Sequence, residues 1–312
     1  MADGRDDSGQ KGRTSTKYAA KKAATERIAA QRAAQQRADR KRNLLMAGGG
    51  VLAVIVVIGG IVFAGLSTKK SSGASDVVPA TSTVSQAVPS VATSSLTTQP
   101  DLSSVAGPPS ALTGDVLKAS NGLPQVLYVG AEYCPNCAAT RWPMAIALAR
   151  FGTFSGLSTT FSSTTDSDPH TATLSFRNSS YKSSYIDFDA KEQVDGAGKP
   201  LQTLTATEDA LFQKLGGTTS SPTPGYPFID FGGKWKQNGT SFDPGLLKGM
   251  SADQIASTMS DAKTKAGAAI QASADVFTAM ICDMTGGKPT NVCTATSTVA
   301  ATTALASLTA SK

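Results

Sequence analysis

Residues 44–66, LLMAGGGVLAVIVVIGGIVFAGL, carry no charged side chain. As an α-helix this run covers about 35 Å, enough to cross a bilayer core of about 30 Å. A span of that kind divides the chain into parts that fold apart from one another. Its glycines weaken it as a soluble helix, but lipid enforces internal backbone hydrogen bonding. A cleaved signal peptide fits less well. The charged stretch before the run is too long for a signal n-region, the run is too long for an h-region, and no good small-x-small cleavage site follows.

Charge then orients the span. Residues 1–43 hold 12 Lys/Arg against 5 Asp/Glu, whereas the remaining residues hold 17 against 18. The overall charge of +6 therefore belongs to the tail, and a polyanion-binding reading of the whole chain loses its support. Arg37, Arg40, Lys41 and Arg42 precede the span, and only Lys69 and Lys70 follow closely. The positive-inside bias places the N-terminus in the cytoplasm and everything after residue 66 outside the cell membrane. Residues from about 17 to 42 of the tail are rich in Ala, Arg, Lys and Gln and are expected to turn helical when their charge is neutralised. Its expected contact is anionic lipid, or it acts only as a topology determinant. No nucleic-acid partner is expected.

Residues 67–111 contain 18 Ser/Thr and several prolines. Such a segment buries too little surface to offset ordering entropy, and is expected to be a flexible stalk with a reach of about 40 Å. Folded sequence is expected over 112–312, in an oxidising space where disulfides persist. A short helix at 112–119 precedes an apolar strand at 125–130, Q-V-L-Y-V-G. A helix from 134 to 150, containing Pro143, leads to a second strand at 157–162. A strand–helix–strand crossover implies that these strands pair in parallel. Residues 163–206 read as an insertion that extends or covers the sheet, with weak strands at 171–176 and 184–188. Further on come a helix at 208–215, a strand at 228–231, a Gly232-Gly233 turn with its partner strand at 234–237, and helices at 251–264 and 268–284.

The chemistry concentrates in A-E-Y-C-P-N-C. Cys134 and Cys137 follow an apolar strand and open a helix. Disulfide attack needs a thiolate, and the positive end of a helix stabilises that anion. An unperturbed thiol is only about 3% thiolate at pH 7, whereas a pKa near 7 gives about half. Cys134 reads as the attacking sulfur and Cys137, one turn inside the helix, as the resolving one. A static disulfide is the main rival. Zinc would need two further ligands, and the chain offers only Cys282, Cys293 and its single histidine, His170, in a polar turn. Haem attachment would need a histidine where Ala138 stands. Glu132 could tune thiol protonation or accept a proton, or be a solvated loop charge. Tyr133 would cover the disulfide and offer a flat contact to a partner. Pro227, opening a strand after a Gly-containing loop, suits a cis-proline beside the sulfurs, where a substrate chain docks by strand addition. Cys282 and Cys293 read as a structural disulfide whose loop closure contributes about 3 kcal/mol.

With A-E-Y-C-P-N-C followed by G-Y-P-F-I-D-F-G-G-K-W, the chain resembles the thioredoxin superfamily over about residues 112–265. That resemblance implies an α/β fold with a central mixed sheet flanked by helices, here with an insertion. Cys134 would be the nucleophile, Cys137 the resolving thiol and Pro227 the cis-proline. The superfamily carries a buried acid six positions before its first cysteine, and Tyr128 stands there in this chain. The whole arrangement of basic tail, span, stalk and C-P-x-C domain is similar to an actinobacterial and archaeal membrane-anchored family, domain of unknown function 929.

The expected activity is that of a membrane-tethered thiol–disulfide oxidoreductase acting on exported proteins with thiols or disulfides. It needs no metal or organic cofactor. A membrane redox partner would supply or remove electrons. Oxidation or isomerisation is expected rather than reduction, because a reductase needs electrons delivered across the bilayer. The alternative is a binding or envelope module that keeps the same fold and uses Cys134–Cys137 as a structural bridge.

Overall fold

The computed structural model describes residues 77–114, 116–218 and 221–310. The expected tail at 1–43, the span at 44–66 and the stalk as far as residue 76 lie outside the described residues. Among the described residues no helix is long and apolar enough to cross a membrane.

The chain opens with β1 (Val78–Pro79), α1 (Ser82–Ser94) and β2 (Ser110–Ala111). Then come β3 (Gln125–Gly130), α2 (Pro135–Ala149), β4 (Gly152–Ser155), β5 (Ser158–Phe161), β6 (Ala172–Ser175), β7 (Ser180–Ser183) and β8 (Asp187–Glu192). Helix α3 (Ala206–Leu215) leads to the hairpin of β9 (Phe228–Phe231) and β10 (Trp235–Asn238). Four helices close the fold: α4 (Ala252–Thr258), α5 (Lys265–Met284), α6 (Thr290–Cys293) and α7 (Thr296–Ala310). The main sheet is mixed, in the order β2-β10-β9-β3-β8, with β3 parallel to β8 and antiparallel to β9.

Strand β3 organises the molecule. Its β-branched and aromatic residues suit a pleated surface buried on both sides. Val126 and Tyr128 face the large core built by α1, α2 and α5, and Leu127 and Val129 meet Phe212 and Phe228 on the other face. Helix α2 is buried from Cys137 through Leu148, so it is apolar around most of its circumference, as a helix enclosed by other elements must be. The Tyr128 oxygen lies against Gly130, where an added Cβ would come within 2.3 Å of it. The glycine at the end of β3 is what lets the tyrosine point along its own strand towards the helix start.

Three expectations are corrected. The stalk is not all stalk: residues from 77 onward are folded. Val84, Val88 and Val91 form one buried face of α1, Thr81 caps its N-terminus, and the helix packs on α2 and α4. Intervening serines and threonines had hidden the i, i+4, i+7 spacing. The expected helix at 112–119 does not form among its described residues. Instead the Leu117 N–H donates to the Gly232 carbonyl, and the Leu117 carbonyl accepts from Gln125, so the segment is extended beside the sheet. The strand expected at 157–162 exists as β5, but it pairs antiparallel with β1 and β6 in a separate small sheet. The parallel neighbour of β3 is β8. Residues 163–206 extend the main sheet, as expected of the insertion, by placing β8 at its edge beside β3. The sequence D-F-D-A-K-E alternates as a half-buried strand does, but its inward position at 192 is a glutamate, which conceals the pattern.

A buried ion pair fastens the helices together. Arg150, just after α2, donates to the Ala92 carbonyl at 3.1 Å, Ser95 Oγ at 2.8 Å and Thr278 Oγ1 at 2.6 Å. It also pairs with Asp275 at 2.8 Å, so one guanidinium ties α1, α2 and α5.

Candidate active site

Cys134 is the N-cap of α2 and Pro135 is the first residue of that helix. The proline lacks an N–H and its φ is already helical, so it suits the first helical position. The sulfur takes the place that a serine oxygen would usually hold, accepting the Cys137 backbone N–H at 3.2 Å. On its other side the Cys134 thiol lies 3.6 Å from the Tyr226 carbonyl, to which it donates. The Tyr226–Pro227 bond is cis and stands at the start of β9. Both thiols are free, Cys134 is 5% exposed, and Cys137 is wholly buried.

The two sulfurs are driven apart in acidity. The side chain of Cys137 hydrogen-bonds to Cys134 and, with the N–H groups of Cys137 and Asn136 and the charge of Arg141, holds its thiol below the ordinary range against the opposing effect of burial. Burial, reinforced by the neighbouring Cys134, pushes Cys137 well above that range. One thiol is thus poised to ionise and the other to keep its proton.

Tyr133 is 36% exposed and meets Tyr226 edge to face, with ring centroids 6.4 Å apart. Tyr226 in turn stacks on Phe212 and donates to Gln193 at 2.8 Å. Two tyrosines therefore flank the nearly covered Cys134 sulfur.

Glu132 is not a solvated loop charge. It is fully buried, pairs with Arg177 at 3.2 Å and accepts from Ser175 at 3.2 Å. Burial raises its carboxyl above the ordinary range, although Arg177 works in the opposite sense. Two residues that sequence reasoning missed lie deeper. Arg141 on α2 forms a bidentate pair with Glu192 at the end of β8, at 2.8 and 2.7 Å, both side chains fully enclosed. Burial alone would favour a neutral Arg141, and the Glu192 carboxylate more than offsets it. Arg141 also donates to the Ala131 carbonyl at 2.9 Å. The one signal for Arg141 was a lone cation inside an otherwise apolar helix, four residues after Cys137.

Cys282 and Cys293 are bonded, linking α5 to α6, with Cα atoms 5.6 Å apart. His170 is exposed, at a positive φ, with its ring stacked on Phe161. Among the described residues no three His, Cys, Asp or Glu side chains cluster so as to hold a metal ion.

Residues 116–283, more than half the chain, match the family described as Domain of unknown function (DUF929). The chain belongs to this family. No curated protein and no solved structure matches it. The part shared with DUF929 includes Cys134, Cys137, Arg141, Glu192 and Pro227, so the whole site lies inside the family domain. It also includes Cys282 but ends before Cys293.

Proposed function

We propose that this DUF929 member is a thiol–disulfide exchange protein with a thioredoxin-like domain, anchored in the membrane by residues 44–66 and working on exported polypeptides. The observation that carries the reading is the Cys134 sulfur at the N-cap of α2, accepting the Cys137 N–H and held below the ordinary thiol range. In this reading the Cys134 thiolate attacks a substrate disulfide and forms a mixed disulfide. Cys137 then closes the Cys134–Cys137 bond and releases the substrate as a dithiol. Run in reverse, the oxidised pair takes two electrons from a substrate dithiol. The Cys282–Cys293 bridge supports an oxidising compartment, where oxidation or isomerisation of substrates is the direction favoured. Tyr133, Tyr226 and the Tyr226 carbonyl form the surface on which a substrate chain would lie beside the sulfur.

The test is substrate trapping. The Cys137→Ala chain, expressed in its own host, is expected to accumulate mixed disulfides through Cys134 that disappear on reduction and in Cys134→Ser. Their absence across growth conditions overturns the reading. A second reading, a binding module with a structural Cys134–Cys137 bridge, is favoured by the low exposure of both sulfurs. It predicts a bridge that resists mild reductant in the folded protein.

A further inference from the structure

Resting on that exchange reading, we propose that Arg141 stabilises the Cys137 thiolate as it attacks the mixed disulfide, with Glu192 as the positioning residue that holds Arg141 in place. Side chains four residues apart on a helix lie on one face, so Arg141 sits one turn below Cys137. Its Nε and Nη2 are committed to Glu192 and to the Ala131 carbonyl. The same carbonyl accepts the Cys134 N–H at 3.3 Å, so the guanidinium is tied directly to the loop that carries the attacking sulfur. Its Nη1 is buried and has no hydrogen-bond partner among the described residues. The Tyr128 hydroxyl is in the same condition, and the Tyr128 ring lies 5.9 Å from the Arg141 carbon. Buried donors without acceptors are rare in native folds. An anion on the neighbouring sulfur would supply the missing acceptor.

The groups that act on Cys137 come from every element around it. They are Tyr128 of β3, Cys134 and Arg141 of α2, Glu192 of β8, and Tyr133 and Tyr226 of the flanking loops. Arg141 is the cation in this set. Glu132 lies farther out and has its own partner in Arg177. A negative charge forming on Cys137 is therefore repelled by Glu192 and attracted by Arg141, and Glu192 both fixes the guanidinium and moderates it.

In the step concerned, Cys137 Sγ gives up its proton and bonds to Cys134 Sγ. The Cys134–substrate bond breaks, and its electron pair leaves on the substrate sulfur, which takes up the proton. The experiment uses the full chain in detergent and dithio-bis-nitrobenzoate as substrate disulfide. Rapid mixing resolves a first release of coloured thiolate, from attack by Cys134, and a second, from attack by Cys137. Arg141→Gln is expected to slow the second phase and move its pH profile upward, by about threefold in rate per unit of thiol pKa once the compensating change in nucleophilicity is counted. Arg141→Lys keeps the charge and is expected to stay near the parent profile. Glu192→Gln keeps an oxygen to hold the guanidinium but removes the charge that repels the Cys137 thiolate, and is expected to move the profile downward. Opposite shifts from the two partners of one ion pair would not arise from a merely structural role. Equal slowing by Lys and Gln at 141, or shifts of the same sign at 141 and 192, overturns the proposal. If Arg141→Gln does not fold, the Lys and Glu192→Gln arms decide it. Absence of the first phase in the parent chain is a separate result, which overturns the exchange reading and this inference with it.

Discussion

The acidity of Cys134 is built largely from its own helix, and its first contributor is the side chain of Cys137. Cys137→Ala removes that contributor but keeps the backbone donors of residues 136 and 137. The pH profile of Cys134 alkylation by iodoacetamide is therefore expected to move to higher pH in the variant, so trapping works best in mildly alkaline medium. An unmoved profile would assign the effect to the helix end alone. A different buried acid illustrates the opposite sign. Asp230 on β9 is raised to about 6 by burial, with its one hydrogen bond from Gly233 N–H only partly compensating. The native state thus binds the proton more tightly than the unfolded chain. Stability is expected to fall as pH rises from about 4 to 6, by the order of 2–3 kcal/mol, and to stay lower above that. Asp230→Asn keeps an acceptor for Gly233 and is expected to flatten this dependence in denaturant titrations taken across the window. At this scale the helix-start placement of Cys134 and Cys137, the exposure of Tyr133 and the cis bond at Pro227 were legible because each follows from neighbours in sequence. The buried pairings of Glu132, Arg141 and Glu192 were not. Their charges are balanced by partners 45, 51 and 51 residues away, at Arg177, Glu192 and Arg141 respectively.

Among the elements, β3, α2, α3 and the β9–β10 hairpin were readable, each from a local signal. The strand is a run of large apolar residues, α2 opens on a proline, and the hairpin turns at Gly232-Gly233, both at positive φ. The pairing of β3 with β8 was hidden because strand partners are chosen by the whole fold. A polar strand qualifies once Arg141 satisfies its one buried charge. Helix α1 was hidden by composition, since three valines set among serines and threonines look like linker until their spacing is counted. Its contribution is testable. A fragment beginning at residue 77 is expected to fold, whereas one beginning at 96 leaves the valine-facing surfaces of α2 and α4 uncovered. Each of the three valines is fully buried, and each contributes about 1.5 kcal/mol or more. The shorter fragment is expected to lose cooperative thermal unfolding; if both fragments melt alike, α1 is an accessory.

Across the molecule, two fastenings hold helical segments to one another, and they act by different physics. The Cys282–Cys293 bridge closes a short loop and acts mainly on the unfolded chain, contributing about 3 kcal/mol in the entropy model. Arg150 acts in the folded state: it joins α1, α2 and α5 through buried hydrogen bonds and one carboxylate. A buried pair of this kind need not add net stability, but removing one partner strands the other charge, at about 3–5 kcal/mol. Asp275→Asn is therefore expected to lower unfolding stability by an amount in that range. Replacing both Arg150 and Asp275 with apolar residues of similar size is expected to recover part of it. Because α2 runs from this cluster to Cys134, the single variant also tests whether the anchorage of α2 sets the chemistry at its other end. The thiol sits at the helix N-terminus, with its own donors from residues 136 and 137 and a loop held by Arg141. The expected outcome is lower stability in denaturant with an unchanged pH profile for Cys134 alkylation. A shifted profile would mean that the site depends on the far end of its helix, and that the local account of its acidity is incomplete.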